Sequence, residues 1–472
     1  MAKIKRLINF GLPVTACNMC CSYCYVSQVG WNTGELGKLD YPPEHIQKCL
    51  TQERLGGVCH INMCGSGETL LAPYTVDLAR RMLENGHYVT IVTNGTITKR
   101  IKELCDFPRE YKERLFFKFS LHYFELKRMN MLDLFFNNIR FVKDNDCSFS
   151  VELGAADEYA SCVEEIKNAC RNGIGEYPHV IELRRQYDLE AYARLTELPI
   201  EEHQNAYKGL HTQMLDFQQE HWDVKRCEFC YAGDWVMQLA GGTGWFSPCF
   251  IGGKDMQNIY ENPDEPIRFA AIGENCPWPH CYSGYILLTS GVVPSLKTPC
   301  YAEFRDCIYP DGAHWLQPKI LEFFSSKFIE ANEEYSDNKK VYVNALMALE
   351  YKNRTRAYEP EKTGKIVEQA LKNKGIETVS IWGASIYTDW LFDLLQHSAI
   401  KVKYIVDDSL SEKEQHYGGL FGRQLKTAVF GTKDKLPKVD AMVITDWAHF
   451  NSIRQQIPPV YKNLLSLTEL AD

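Results

Sequence analysis

Short apolar runs alternate with amphipathic stretches over the first 190 residues. LINFGLP (7–13) reads as a strand that stops at Gly-Leu-Pro. Residues 43–56 suit a helix opened by Pro42-Pro43. HINMCGSGETLL (60–71) gives an apolar strand and a Gly-rich turn, then a helix running through LARRMLENG to a Gly stop. HYVTIVTNGT (87–96) is a β-branched strand ending in Asn-Gly, and FFKFSLH (116–122) is another strand. MLDLFFNNIRFVKDN (131–145) has helical periodicity. CSFSVELG (147–154), a helix over 161–171 and PHVIELRR (178–185) complete about six strand–helix units. Alternation at roughly 25–35 residues per unit predicts βα units and a parallel sheet.

The pattern then changes twice. Residues 227–310 are rich in Cys, Gly, Pro and aromatics and lack long periodic helices, as expected of a small metal-organised module. Residues 313–375 are helical and charged. A second alternation follows: ETVSIWGASIYTDWLFDLL (377–395), IKVKYIVDD (400–408) and VDAMVITD (439–446). The fold class is therefore α/β, with divisions expected at 1–195, 196–312, 313–375 and 376–472.

Composition narrows the function classes. The chain has 472 residues, 45% of them hydrophobic, enough for real cores. Its net charge of −9 argues against a general nucleic-acid binder, which needs a basic surface to release phosphate counterions. No apolar run approaches the ~20 residues of a membrane helix, and the first residues lack the apolar stretch of a signal peptide. A cytoplasmic location is the expectation. In such a reducing compartment, clustered cysteines are more often metal ligands or catalytic groups than disulfides. Of the 18 cysteines, Cys49, Cys59, Cys64, Cys105, Cys147, Cys162 and Cys170 stand singly and read as small apolar residues. The rest gather at 17–24 and 227–307.

The first group is Ala16-Cys17-Asn18-Met19-Cys20-Cys21-Ser22-Tyr23-Cys24-Tyr25. Cys17, Cys21 and Cys24 form C-x3-C-x2-C. Three thiolates from one loop suit an iron–sulfur cluster with one iron left open; a zinc loop using Cys20 as fourth ligand is the alternative on spacing alone. The loop follows the first strand of a βα series, where strand ends make sites. Gly65-Ser66-Gly67-Glu68-Thr69, Thr93-Asn94-Gly95 and Ser120-Leu121-His122 follow the next three strands.

With these motifs, residues 5–190 resemble the radical S-adenosylmethionine (SAM) superfamily. The resemblance implies a partial (β/α)6 barrel and a [4Fe–4S] cluster on Cys17, Cys21 and Cys24, with SAM on the open iron. It places Gly67 and Glu68 at the methionine amine, Ser66 with them among the cofactor-binding residues, and Tyr23 on the adenine side. Thr93, Asn94 and Ser120 fall where the family contacts ribose and carboxylate. Ser66 and Thr69 depart from the family's Gly-Gly-Glu-Pro. Cys20 reads as a bystander and His122 as structural.

The second group runs Cys227-Glu-Phe-Cys230-Tyr-Ala-Gly, then Gly244-Trp-Phe-Ser-Pro-Cys249, Cys276-Pro-Trp-Pro-His-Cys281, Cys300 and Cys307. A zinc ribbon is one reading. The order also resembles the auxiliary-cluster extension called SPASM or Twitch, without its full run of cysteines. Cys230 and Cys249 match that pattern best and the sequence departs from it beyond them; one auxiliary [4Fe–4S] cluster is expected, on Cys230, Cys249, Cys276 and Cys281, with Cys227 as a substitute ligand. Cys300 and Cys307 are expected to be structural or free.

The C-terminal alternation is Rossmann-like, with Gly383 in the first turn and Asp407-Asp408 after the second strand. Its glycine fingerprint is poor, because Ser385 and Thr388 hold the second and third positions; no dinucleotide is expected, and independent folding is. The leading function is a radical SAM oxidoreductase or epimerase served by an external electron donor such as flavodoxin or ferredoxin. The first strand begins by residue 7, leaving no room for an N-terminal peptide-recognition domain, and the C-terminal module resembles sugar-associated ones. Both lean toward a carbohydrate or small-metabolite substrate, with modification of a ribosomal peptide or protein as the alternative. A non-catalytic zinc-stabilised scaffold is the alternative of another class. Glu68 argues against it, since a scaffold needs no ammonium acceptor beside three thiolates.

Overall fold

The computed structural model describes residues 2–186, 193–249, 256–350, 359–411, 416–417 and 427–472. Six parallel strands follow one another in space as in sequence: β1 (Arg6–Leu12), β2 (Cys59–Gly65), β3 (Tyr88–Thr93), β4 (Leu115–Ser120), β5 (Ser148–Gly154) and β6 (His179–Ile181). β7 (Val236–Ala240) lies parallel to β1 on its other side, Leu7 opposite Val236, and β8 (Trp245–Ser247) and β9 (Gln257–Asn258) extend the sheet antiparallel. The complete order is β6-β5-β4-β3-β2-β1-β7-β8-β9. The Cys-rich stretch thus continues the barrel sheet.

The expected strands and helices are present, with shifts of local cause. Thr51 accepts from the Arg54 amide and opens a separate turn, so the stretch 43–56 divides into Pro43–Cys49 and Gln52–Leu55. Pro73 separates the 3₁₀ turn Thr69–Leu71 from helix Thr75–Glu84, where one continuous helix was expected. β6 keeps only three residues of the expected eight.

Side chains alternate across the strands, so Lys118 and Ser120 on β4 share a face. Inside the barrel Glu152 accepts a hydrogen bond from Arg305 Nη1, and the Lys118 ammonium lies 3.2 Å from it. Arg305 and Lys118 hold the Glu152 carboxyl down at about 2 despite its burial. At the other end of β1, buried Arg6 donates to the Asp234 carbonyl and carboxylate, both at 2.8 Å, and its guanidinium lies 3.7 Å from the Phe269 ring centroid. Asp234 also accepts from Tyr335 at 2.7 Å. One ion pair therefore ties the barrel, the Cys-rich stretch and the helical stretch together.

The second sheet has the order β12-β13-β11-β10-β14-β15, built from β10 (Thr378–Trp382), β11 (Lys401–Val406), β12 (His416–Tyr417), β13 (Thr427–Phe430), β14 (Ala441–Ile444) and β15 (Leu464–Ser466). All pairs are parallel except β12 with β13. Setting aside the short edge β12, the strands lie third-second-first-fourth-fifth, the doubly wound arrangement. Ser385 and Thr388 form a capping box on helix Ile386–Leu395, and Asp407 accepts from the Ala384 amide at 2.9 Å. Two of the weak fingerprint positions thus serve the helix, and a carboxylate already meets the turn.

The two sheets share a core. One apolar cluster includes barrel residues such as Ile61 and Phe117, Tyr342 and Leu346 of helix Asp337–Glu350, and Ile381, Trp390 and Leu467 from the C-terminal part. Among the described residues, no helix is long and apolar enough to cross a membrane.

Candidate active site

The loop that leaves β1 is fixed by backbone pairing to the turn that leaves β2. Gly67 donates to the Val14 carbonyl and Glu68 to the Ala16 carbonyl, both at 2.8 Å. A Cβ on Gly67 would lie 2.0 Å from the Ala16 carbonyl oxygen. The glycine therefore lets two backbones approach one residue before Cys17. Gly67→Ala is expected to displace the Cys17 loop while the barrel still folds. The check is iron per chain beside the circular dichroism spectrum; unchanged iron would show that the loop tolerates the shift.

The loop is held from three further sides. Asn18 donates to Thr96 at 2.9 Å and accepts from Asn94 at 2.8 Å. The Cys20 amide donates to Glu125 at 3.0 Å, and Ser22 donates to Glu158 at 3.0 Å. The Tyr23 hydroxyl lies 2.9 Å from His122 Nδ1 and 3.0 Å from the Tyr159 hydroxyl. Burial pushes His122 down to about 4, so it is neutral at pH 7. Tyr23 thus turns its ring into the core and pins the loop, and His122 is structural here.

Cys17 is exposed, Cys24 half-buried and Cys21 buried, all three as free thiols. Burial pushes the Cys21 thiol up, and the neighbouring Cys24 and Cys17 push it further; burial also raises Cys17. Three thiols close enough to repel one another as thiolates need a cation to ionise together. That donor set fits an iron cluster, which binds thiolate sulfur.

Glu68 is 3% exposed, and its carboxylate accepts from the Leu70 amide (3.0 Å), the Thr93 hydroxyl (2.6 Å) and the Asn94 amide (2.7 Å). Burial raises its pKa and these donors oppose the rise. A carboxylate offers about four lone-pair sites, so one remains for another donor. Ser66 is exposed at the head of the same turn. Ser120 is half-buried at the C-terminal end of β4, two residues beyond Lys118 on one face.

The second Cys group divides in two. Cys230, Cys249, Cys276 and Cys281 line one cavity of about 490 Å³, measured with its open side, together with Arg226, Trp278 and His280. Burial, followed by the three other thiols, drives the Cys281 pKa well up. Cys227 is exposed and does not line the cavity; its carbonyl accepts from Asn275 at 3.2 Å. Cys307 lies 3.5 Å from His179, and Cys300 opens the turn Tyr301–Phe304. Among the described residues no three His, Cys, Asp or Glu converge as a single-ion site.

Several groups at these sites stand outside the residues read from sequence. Cys64 sits at the end of β2, half-buried directly before the Gly65–Thr69 turn, a position that the motif itself could have signalled. Lys118, two residues before Ser120 in a strand, carried a similar signal. Glu152 and Arg305 carried none, because only the folded chain brings them together, whereas Arg226 and His280 directly precede Cys227 and Cys281.

Residues 12–126 match the family described as the Radical SAM superfamily, so this part of the chain is a radical SAM domain. Domains of that family work with a [4Fe–4S] cluster and SAM. Among solved structures, Streptococcus suis SuiB bound to precursor peptide SuiA aligns at 14% identity over 56% of this chain and 64% of that one, with a TM-score of 0.40. Native anSMEcpe with bound AdoMet and Cp18Cys peptide aligns at 15% identity over 55% and 79%, with a TM-score of 0.38. Archaeal TYW1 aligns at 18% identity over 34% and 51%, with a TM-score of 0.24. The chain thus spans less than two thirds of SuiB. No curated protein matches the sequence.

Proposed function

We propose that this protein is a radical SAM enzyme that starts its reaction by removing a hydrogen atom from a substrate carbon, leading to oxidation, epimerisation or cross-linking. The observation that carries the proposal is the pairing of the Cys17–Cys21–Cys24 loop with the Gly67–Glu68 turn at the ends of β1 and β2. When bound, the cluster and SAM supply the 5′-deoxyadenosyl radical.

The protein's own groups have separable parts. Cys17, Cys21 and Cys24 hold the iron. Glu68 offers its remaining lone pair to the cofactor's ammonium, a charge-assisted contact. Asn94 and Thr93 fix that carboxylate. Ser66, Ser120 and Tyr23 are proposed neighbours of the cofactor, Tyr23 by holding the loop. Arg184 stacks over Tyr25 and Tyr282 beside the loop, at 4.3 and 3.9 Å from the ring centroids. Cys230, Cys249, Cys276 and Cys281 are the proposed ligands of a Twitch-like auxiliary cluster: four soft donors around one cavity fit it. An external flavodoxin- or ferredoxin-type donor is proposed to supply the electron.

The test is anaerobic reconstitution with iron and sulfide, followed by reductant and SAM. A brown protein that forms 5′-deoxyadenosine is expected. Full iron loading without 5′-deoxyadenosine would refute the proposal. Substrate screening starts with peptides, the class named with SuiB and anSMEcpe, and continues with carbohydrates. The true substrate raises 5′-deoxyadenosine formation above the uncoupled level.

A further inference from the structure

The wall of the second cavity carries more than thiols. Arg226 lines it with a side chain that is 12% exposed. Among the described residues its Nε has no hydrogen-bond partner, and the Glu228 carboxylate lies 3.6 Å from Nη1. His280 lines the same cavity at 3% exposure. Among the described residues neither of its ring nitrogens has a hydrogen-bond partner, and Asp223 stands 3.6 Å from Nδ1. Its ring lies 4.5 Å from that of Trp222, which fixes its plane. Two buried donors lining one cavity are costly to leave unmade unless an acceptor fills it. The Arg226 charge also reaches Cys281, favouring its thiolate.

We propose that Arg226 is a positioning residue for the auxiliary cluster: its guanidinium faces the cluster's sulfur atoms and raises the cluster's reduction potential. The inference rests on the proposed cluster at Cys230, Cys249, Cys276 and Cys281. Four thiolates make such a cluster anionic, so adding an electron works against charge already present in a low dielectric. A fixed cation offsets part of that charge, and hydrogen bonds to sulfur act in the same direction. His280 presents a second N–H in the same cavity. The cluster is thereby made a better electron acceptor, which suits oxidation of a substrate more than its epimerisation.

The experiment is a redox titration followed by electron paramagnetic resonance on the full chain carrying Cys17→Ala, Cys21→Ala and Cys24→Ala, so that only the second cluster is read. Arg226→Gln is expected to lower the ratio of reduced to oxidised cluster at least tenfold at a fixed potential, about 59 mV for one electron. Arg226→Lys keeps the charge and is expected to recover part of the shift. Equal potentials in the parent and Arg226→Gln, with equal iron, overturn the inference alone. Equal shifts in the Gln and Lys variants also overturn it, because packing and not charge is then responsible. Absence of iron in the triple-cysteine parent overturns the cluster and the inference together. If that parent does not fold, the titration is made in the wild-type background, where added SAM perturbs the first cluster's signal and leaves the second to be read.

Discussion

Replacing Cys17, Cys21 and Cys24 together by alanine is expected to abolish 5′-deoxyadenosine formation while a second pool of iron remains bound. The three thiols come from one loop between β1 and helix Tyr25–Gln28. The four thiols around the second cavity come from residues 230–281. Nothing in the first loop supplies a ligand to the second cavity, so the two sets are expected to load independently. Iron per chain should fall by the content of one cluster, and SAM cleavage should fall to background. Unchanged 5′-deoxyadenosine would sink the assignment of the first site. Loss of all iron would instead show that the second cavity holds no cluster of its own. The reciprocal pair, Cys230→Ala and Cys249→Ala, is expected to lose the other pool and to reduce substrate turnover more than SAM cleavage. Precipitation of that pair would make the second site a structural staple, since metal binding is then folding energy.

Legibility from sequence followed chain distance. The C-x3-C-x2-C loop, the Gly67–Glu68 turn and Thr93-Asn94 could be read because each motif is local and follows its own strand. The reason for Gly67 could not: it depends on the Ala16 carbonyl, 51 positions earlier, which only the β1–β2 pairing brings near. The choice among the cysteines of the second group was partly open for the same reason. Cys227 and Cys230 sit three residues apart, and only Cys230, in a bridge to Gly273, faces the cavity. Glu152 and Arg305 are 153 residues apart and meet inside the barrel, so no window of sequence joins them. The Rossmann-like character of the second sheet was visible as strand–helix alternation, yet its strand order and its attachment to the rest were not. Tyr342 and Trp390 fall in the separately expected stretches 313–375 and 376–472, and packing joins them, with ring centroids 5.8 Å apart.

That attachment leads to the last expected result: a chain ending near residue 370 is expected to be insoluble. Independent folding of the C-terminal part requires an interface whose loss leaves a tolerable surface. Here helix Pro360–Asn373 crosses helix Ile386–Leu395 so closely that a Cβ on Gly364 would lie 2.2 Å from the Leu394 carbonyl oxygen. The Tyr342 hydroxyl donates to the Leu467 carbonyl, and Tyr342 is 1% exposed. Truncation uncovers Tyr342 and Val367, and exposing a buried side chain of this kind costs about 1.5–3 kcal/mol each. A few such losses compare with the ~5–15 kcal/mol that separates folded from unfolded domains. Polar contacts go as well: Glu469 with Arg268 at 3.2 Å, Arg454 with Glu265 at 2.6 Å and Ser452 with Glu261 at 2.7 Å. Arg268 and Glu265 lie in the stretch between Cys249 and Cys276, so the second sheet braces the chain that links two ligands of the proposed auxiliary cluster. The full-length protein is therefore expected to melt in a single transition, and the truncated chain to appear in the insoluble fraction or, where recovered, without the second pool of iron. A soluble 1–370 fragment that loads both pools would show that the shared core is dispensable and that the C-terminal sheet is a separate body docked on the enzyme.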